Sequence, residues 1–145
     1  MIVDSVRRET LIRSPGPGAG VGGGLYYSRT SGTDMFCMYG IETRSDLCDG
    51  AYTMLSTDNG RTWSEPEFHE AEISGPDGIL RRSPAVAVLD PHTDRFVWFL
   101  TEGLFDGDDP LQGMLRYQLR YRVSSDGGHT WETDKLMVQE GEEFD

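Results

Sequence analysis

The hydrophobic positions of this chain fall into short runs that are typical of β-strands. Each run is rich in aromatic and β-branched residues and is bounded by Gly, Pro, Asp and Ser, as in "TSGTD" and "FDGDDP". No segment shows the spacing of three and four residues that an amphipathic helix needs. The pattern predicts an all-β protein with strands in residues 35–42, 50–58, 83–90, 94–102 and 114–126.

The most regular alternation of apolar and polar residues lies near the end of the chain. Because successive side chains of a strand point to opposite faces, this alternation predicts a strand with one buried face. The apolar positions are Leu115, Tyr117, Leu119, Tyr121 and Val123. Earlier in the chain, "DPHTDR" predicts a turn because Pro91 presets φ, and residues 83–100 are therefore expected to form a hairpin.

Two short stretches of the sequence repeat each other. Residues 56–63 read "STDNGRTW" and residues 124–131 read "SSDGGHTW", and each follows a predicted strand. We expect both to form hairpin loops in which Asp accepts backbone hydrogen bonds, Gly supplies a positive φ and Trp covers the hairpin. Both stretches are therefore interpreted as folding devices that contact no substrate. The shared residues are Ser56, Asp58, Gly60, Thr62 and Trp63, and then Ser124, Asp126, Gly128, Thr130 and Trp131.

Composition and charge narrow the range of functions. A formal net charge of -12 disfavours binding to nucleic acid or to an anionic membrane surface. The start "MIVDSVRRET" lacks the apolar core of a signal peptide, no apolar run is long enough for a membrane helix, and the cellular location is left unknown. Cys37 and Cys48 are not at metal-ligand spacing, and "GPGAGVGGG" is not a phosphate-binding loop. We therefore expect two idle thiols, no metal, no cofactor and a flexible insertion at the glycine-rich stretch.

The repeated S-x-D-x-G-x-T-W stretch resembles the Asp box of the sialidase (neuraminidase) superfamily, and the similarity runs from about residue 9 to about residue 140. The resemblance implies a partial sialidase-like β-propeller with about two four-stranded antiparallel blades, each with an Asp-box hairpin. Blade 1 would cover about residues 20–72 and blade 2 about residues 79–140 of a single partial domain, residues 1–145. Residues 1–13 would be the strand that closes a missing last blade, and the chain would be the N-terminal part of a larger propeller or a truncated gene product.

The same resemblance implies a site that binds a carboxylate. "RSP" at residues 13–15 is similar to the Arg-Ile-Pro motif of sialidases, so that Arg13 would bind the carboxylate of sialic acid. Arg44 would bind it too, and Asp49, five residues later, would be the general acid/base, with Asp46 as a rival. Arg82 lies where the family has a residue that lines the pocket. These residue types suit the roles, because a guanidinium binds a carboxylate through two parallel hydrogen bonds and a carboxyl can protonate a glycosidic oxygen.

Two functions are consistent with the sequence. The first is an exo-α-sialidase-like glycoside hydrolase that removes terminal sialic acid or a related acidic sugar from glycoconjugates. The second is a non-catalytic Asp-box propeller module that binds glycan or protein. Carbohydrate is the expected partner, and exposed sheet edges predict self-association. The family's tyrosine nucleophile and its glutamate would come from later blades, so the chain alone is expected to be inactive.

Overall fold

The protein is built from two antiparallel β-sheets. The computed structural model describes residues 8–44, 47–109 and 112–138, which form nine strands and no α-helix, so the all-β prediction is confirmed. The first sheet has the order β1-β2-β3-β4, with β1 Gly20–Tyr27, β2 Met35–Glu42, β3 Gly50–Ser56 and β4 Glu67–His69. The second sheet has the order β5-β6-β7-β8-β9, with β5 Glu72–Gly75, β6 Gly78–Asp90, β7 Arg95–Phe105, β8 Met114–Ser124 and β9 Thr133–Leu136.

The two sheets differ in their number of strands. The first has four, as expected, but the second has five, because Glu72–Gly75 forms a short hairpin with the start of β6. The predicted hairpin at residues 83–100 is present, since β6 pairs with β7 and Asp90 lies opposite Arg95. At the N-terminus residues 8–13 form no strand, and residues 1–7 of the predicted closing strand lie outside the described residues.

The glycine-rich stretch is not the flexible insertion that the sequence suggested. Its second half is the start of β1, which pairs residue by residue with β2 from Gly20 opposite Glu42 to Tyr27 opposite Met35. A Cβ atom on Gly23 would lie 2.2 Å from the carbonyl oxygen of Met38. Glycine is therefore needed here because the two strands approach closely, which composition alone does not reveal.

The two sheets pack face to face through aromatic side chains. Phe36 of β2 contacts Phe96 and Trp98 of β7, with ring centroids 5.0 and 5.4 Å apart. All three are almost fully buried, and Met38 and Leu100 join them in this cluster. On the opposite side of the first sheet a second cluster contains the buried residues Cys37, Tyr39 and Met54, against which Ile12 and Trp63 pack.

Strand β8 does not bury the face that its sequence suggested. Leu115 and Tyr117 are both 60% exposed, whereas Arg122 lies over the buried ring of Trp98 with its guanidinium carbon 5.3 Å from the ring centroid. The arginine side of β8 therefore faces the first sheet. Cross-strand pairing makes this possible, because acidic groups from β7 and β9 bind the arginines there.

The remaining sequence-level expectations concern cysteines and membranes. Cys37 and Cys48 are both buried and free, as expected, and burial raises the pKa of the Cys37 thiol to about 11. Such a thiol stays protonated and unreactive near neutral pH. Among the described residues, no helix has the length and apolar character that crossing a membrane requires.

Candidate functional site

The loop between β2 and β3 carries the predicted acid, Asp49. Its Oδ2 accepts hydrogen bonds from the backbone N–H of Thr43 at 2.6 Å and from the Thr43 hydroxyl at 2.8 Å. The backbone N–H of Asp49 donates to the carbonyl of Ile41 at 2.7 Å. Leu47 and Cys48, both buried, anchor the same loop. Asp49 itself is exposed, so a carboxylate with one fixed oxygen is presented at the surface.

Arg44, from this loop, meets the second sheet at Asp108. Its two terminal nitrogens donate to the two carboxylate oxygens of Asp108 at 3.0 and 3.2 Å. Arg81 of β6 donates to the same carboxylate at 2.6 Å and lies 2.7 Å from Glu72. Two guanidinium groups from different sheets therefore share one carboxylate, which is the geometry expected of a carboxylate-binding pair.

The acidic and basic side chains of the Arg44–Asp108 cluster shift one another's pKa values. Hydrogen bonding from Arg44, and the positive charges of Arg44 and Arg81, hold the pKa of Asp108 below its usual value. The hydrogen bond to Asp108 raises the pKa of Arg44, with Asp49 and Glu72 adding further negative potential. Arg81 is only 5% exposed, while Asp108 is mostly exposed. The buried guanidinium of Arg81 is thus neutralised by two more exposed carboxylates, those of Glu72 and Asp108.

The structure places the predicted site residues in different parts of the fold. Arg44 and Asp49 lie in one loop. Arg13 is exposed and follows Ile12, which packs against the outer cluster of the first sheet. Within residues 8–44, 47–109 and 112–138, the contacts around Asp108 do not include Arg13. Asp46 lies outside the described residues.

Arg82 faces a buried carboxylate. Its Nε donates to Glu102 at 2.6 Å, and Arg120 Nε donates to the same oxygen at 2.5 Å. Gln118 donates to the second oxygen of Glu102 at 3.2 Å. Burial alone would raise the pKa of Glu102, but the hydrogen bonds from Arg120 and Arg82 lower it. Arg82 therefore stabilises an ionised glutamate between the sheets, and its predicted contact with a ligand remains a prediction.

Side chains of the first repeated loop bind backbone and side-chain groups of the same loop. The Ser56 hydroxyl accepts from the N–H of Gly60 at 2.9 Å, and Asp58 accepts from the N–H and hydroxyl of Thr62 at 2.8 and 2.6 Å. These bonds from Thr62 lower the pKa of Asp58 to about 2. The indole N–H of Trp63 donates to the carbonyl of Gly60 at 3.1 Å. Asp58 thus accepts a backbone hydrogen bond, as expected, and the indole N–H of Trp63 has a partner within the loop.

The second repeated loop has the same serine and aspartate bonds. The N–H of Gly128 donates to the Ser124 hydroxyl at 2.8 Å, and Asp126 accepts two bonds from Thr130 at 2.8 and 2.6 Å. Burial would raise the pKa of Asp126, but these bonds lower it to about 2. The φ angles of Gly60 and Gly128 are 78° and 98°, which confirms the predicted positive φ.

The repeated loops lie away from the Arg44–Asp108 pair. Asp49 precedes the first residue of β3 and Ser56 is its last, so a whole strand separates them. At about 3.3 Å per residue, this strand places them about 20 Å apart. The first repeated loop and the candidate site therefore occupy opposite ends of the first sheet. The second repeated loop follows Ser124, which pairs with Phe96 at the end of β7 that is remote from Asp108.

A small cavity adjoins the Asp49 loop. It has a volume of about 190 Å³ and is lined by residues of both sheets, including Gly22, Gly40, Glu42, Cys48 and Ser83. A Cβ on Gly40 would lie 2.8 Å from the Cys48 sulfur, so glycine is required for the loop to close over the strand. The described residues contain no group of three or more His, Cys, Asp and Glu side chains that could hold a metal ion.

Sequence reasoning missed two members of the cluster. The sequence indicated Arg82, whereas the residue that binds Asp108 is its neighbour Arg81. The two side chains have different partners because residues that follow each other on a strand point to opposite faces. Asp108 lies in "FDGDDP", which reads as a turn, and the sequence contains no local signal that it contacts a residue 64 positions away. Only the packing of the two sheets brings them together.

Comparisons with known proteins do not assign the chain to a family. No protein-family model matches the sequence, and a search of curated proteins finds no match.

Proposed function

We propose that the chain is part of a sialidase-like glycoside hydrolase that acts on a terminal acidic sugar. In this proposal Arg44 and Arg13 bind the sugar carboxylate and Asp49 protonates the leaving oxygen. The two sheets are blades of a β-propeller, and the loops at residues 56–63 and 124–131 are its Asp boxes. The observation that carries the proposal is the shared carboxylate: Arg44 and Arg81 both bind Asp108, at distances of 2.6 to 3.2 Å.

The chemistry of the cluster supports a ligand of this class. A guanidinium that already binds a carboxylate through two nitrogens is shaped for the planar carboxylate of an acidic sugar. Asp49 lies in the same loop as Arg44, and Thr43 holds one of its oxygens. The other oxygen is the one that a bound sugar would meet. A fixed carboxyl beside a bound glycoside is the arrangement that general acid catalysis needs.

A non-catalytic module that binds glycan or protein is the second candidate. Arg44 and Arg81 are already paired with Asp108 and Glu72, so a ligand carboxylate must compete with internal ones. In addition, Tyr39 and Tyr52 stack with ring centroids 5.1 Å apart, and burial raises the pKa of Tyr39, which makes it a poor nucleophile. These observations favour binding without turnover by this chain alone.

Titration with a sialylated trisaccharide tests the proposal. We expect backbone amide signals of residues 43–49 to shift with sialyllactose but not with its carboxylate methyl ester, which has lost the charge. Arg44→Gln should weaken the binding. Arg95→Gln is the matched control, because Arg95 is also an exposed arginine paired with a carboxylate, that of Glu132, at the opposite end of β7.

The outcomes separate the alternatives. Equal binding of the acid and its ester, or unchanged binding by Arg44→Gln, would exclude carboxylate recognition by Arg44. Binding that depends on the carboxylate and on Arg44, but not on Asp49, would favour the non-catalytic module.

A further inference from the structure

The two sheets repeat each other in structure as well as in sequence. At the end of the first loop Ser64 N–H donates to the Leu55 carbonyl, and at the end of the second Glu132 N–H donates to the Val123 carbonyl, both at 2.8 Å. The loop serines pair in the same way with the neighbouring strand, Ser56 with Met35 and Ser124 with Phe96. When the two sheets are aligned on these serines, Tyr26 corresponds to Val88, Leu25 to Ala87, Phe36 to Val97 and Met38 to Phe99.

The interface between the sheets uses non-equivalent faces. The first sheet contributes Phe36 and Met38, with Tyr26 packed beside them, whereas the second contributes Ala87 and Trp98. The counterparts of Phe36 and Met38 lie on the other side of the second sheet. The contact is therefore head-to-tail, and each sheet keeps one unused face of the kind that its neighbour employs.

The unused face of the second sheet, called here the outer face of sheet two, carries Val86, Val88, Val97, Phe99 and Tyr117. Val88 is 51% exposed, although its counterpart Tyr26 packs against the core between the sheets. Within the described part of the chain no element covers Val88. This face is thus equivalent to one that is buried elsewhere in the same molecule.

The face of the first sheet that this interface does not use, called here the outer face of sheet one, carries Leu25, Cys37, Tyr39 and Met54. Ile12 and Trp63 of the same chain already cover Cys37, Tyr39 and Met54, so Leu25 is the open part of this set. Leu25 is 52% exposed, while its counterpart Ala87 is only 4% exposed in the interface. An apolar groove of about 410 Å³ lies on this face, lined by Leu11, Ile12, Val21, Leu25, Cys37 and Tyr39 among others. The groove offers space for side chains from another molecule.

Exposed apolar side chains are concentrated on these two faces. Of the ten large hydrophobic residues that are exposed in the described chain, seven belong to one face or the other. The seven are Leu11, Leu25, Tyr27 and Phe68 on the first sheet, and Val86, Val88 and Tyr117 on the second. Apolar patches of this kind mark interaction surfaces.

We propose that a second copy of this chain docks its outer face of sheet one against the outer face of sheet two, repeating between chains the interface that exists within each chain. The contact continues an established interface, because its two sides are the repeat-related counterparts of two surfaces that already pack together. Burial of the exposed apolar side chains supplies the driving force. This inference does not depend on the proposed catalytic residues, and it concerns the 145-residue chain by itself, because in the larger propeller proposed above neighbouring blades would cover both faces.

The test uses one lysine substitution on each face and a control. Val88→Lys disrupts the outer face of sheet two, and Leu25→Lys disrupts the outer face of sheet one. Thr57→Lys makes the same charge change at an exposed position of the first repeated loop that is not among the residues of either face. Sedimentation velocity is measured over a wide range of concentrations, with circular dichroism and denaturant unfolding to show that each variant is folded.

A head-to-tail contact predicts a specific mixing result. The unaltered chain and Thr57→Lys should associate, whereas Val88→Lys and Leu25→Lys should each sediment as a 16.2 kDa monomer. Each variant keeps the face that the other lacks. An equimolar mixture of the two should therefore form a complex of two chains, and no larger species.

Three outcomes would overturn the proposal. One is an unaltered chain that stays monomeric at every concentration. Another is association that persists in both lysine variants, which would assign it to the sheet edges. The last is a mixture of the two folded variants that forms no complex, which would exclude a head-to-tail contact.

Discussion

Arg44 and Asp108 lie 64 positions apart in the chain, yet the Arg44 guanidinium donates hydrogen bonds to both oxygens of the Asp108 carboxylate. The bond joins a loop of the first sheet to a loop of the second. Arg81, which is buried, binds the same carboxylate. One exposed aspartate therefore neutralises a buried cation and connects the two sheets at the candidate site.

Replacing Asp108 should destabilise the protein in a pH-dependent way. Asp108→Asn should lower the denaturation midpoint near neutral pH, because Arg81 loses a charged partner. The pKa of Asp108 is lowered in the folded state, so its contribution is present above the ordinary value of 3.8 and is lost as the pH falls through the folded-state pKa. Urea denaturation over a pH series measures this. Asp106→Asn, at a neighbouring exposed position, should leave the midpoint unchanged.

The repeated loops should matter for stability and not for ligand binding. Ser124→Ala leaves the buried N–H of Gly128 without its partner, which should cost about 1–3 kcal/mol in the free energy of unfolding. Asp58→Ala and Asp126→Ala should also lower stability, since each removes two bonds from a threonine. Sugar titration of the variants that still fold is the check. A selective loss of binding at unchanged stability would place the ligand at these loops.

Arg82 should act through Glu102. Arg82→Met removes one of the two guanidinium groups that bind a carboxylate with 1% exposure, so the free energy of unfolding should fall by about 1–3 kcal/mol. Arg120 still binds Glu102 in this variant, so the double variant Arg82→Met, Glu102→Leu should be less stable still, because it leaves the Nε of Arg120 without its carboxylate partner. If Arg82→Met weakens sugar binding at unchanged stability, Arg82 contacts the ligand instead.

His69 should make the packing of the sheets sensitive to mild acid. Its Nε2 lies 2.8 Å from the Thr53 hydroxyl and its ring lies edge-on to Trp98, and burial lowers its pKa below 6.5. The unfolded chain therefore takes up the proton first, and stability falls as the pH drops below about 6.5. Comparing denaturation midpoints at about pH 7.5 and about pH 5.5 measures the effect. The difference should shrink in His69→Gln and persist in His92→Gln, which alters an exposed turn.

The chain alone should show no appreciable sialidase turnover. In the proposed propeller the tyrosine nucleophile would come from later blades, and because catalytic groups act as a unit, a chain without it would lose most of the rate while weak binding survives. A fluorogenic sialoside assay compares the 145-residue chain with a longer protein that includes the proposed later blades. Comparable turnover by the two would mean that the nucleophile is present in this chain.

Much of the fold could be predicted because its signals are local. Residues 35–42 are predicted as a strand and form β2, and the positive φ of Gly60 and Gly128 follows from the turn in which each lies. The bonds that the serine and aspartate side chains of the repeated loops make within the loops join residues no more than four positions apart, such as Ser56 with Gly60. Interactions of this range depend on little besides the sequence that contains them.

The candidate site could be predicted only in part. The resemblance to sialidases predicts Arg44 and Asp49, and the structure shows both in one short loop before β3. Arg81 and Asp108 were missed, because their contact requires the second sheet to pack beside the first. A choice between adjacent residues such as Arg81 and Arg82 depends on the face that each presents, and alternation alone does not say which face meets the site.

The sequence by itself determined five of the nine strands of the described chain, the two repeated loops and the division of each predicted strand into two faces, because backbone geometry gives strands a period of two. Tertiary structure decided which face is buried. In β8 the arginines turn toward the first sheet, where Glu102, Asp134 and Trp98 receive them, and Tyr117 turns outward. The physical reason is that burial of a charge is favourable only beside partners of opposite charge, and those partners come from neighbouring strands that only the folded sheets bring within reach.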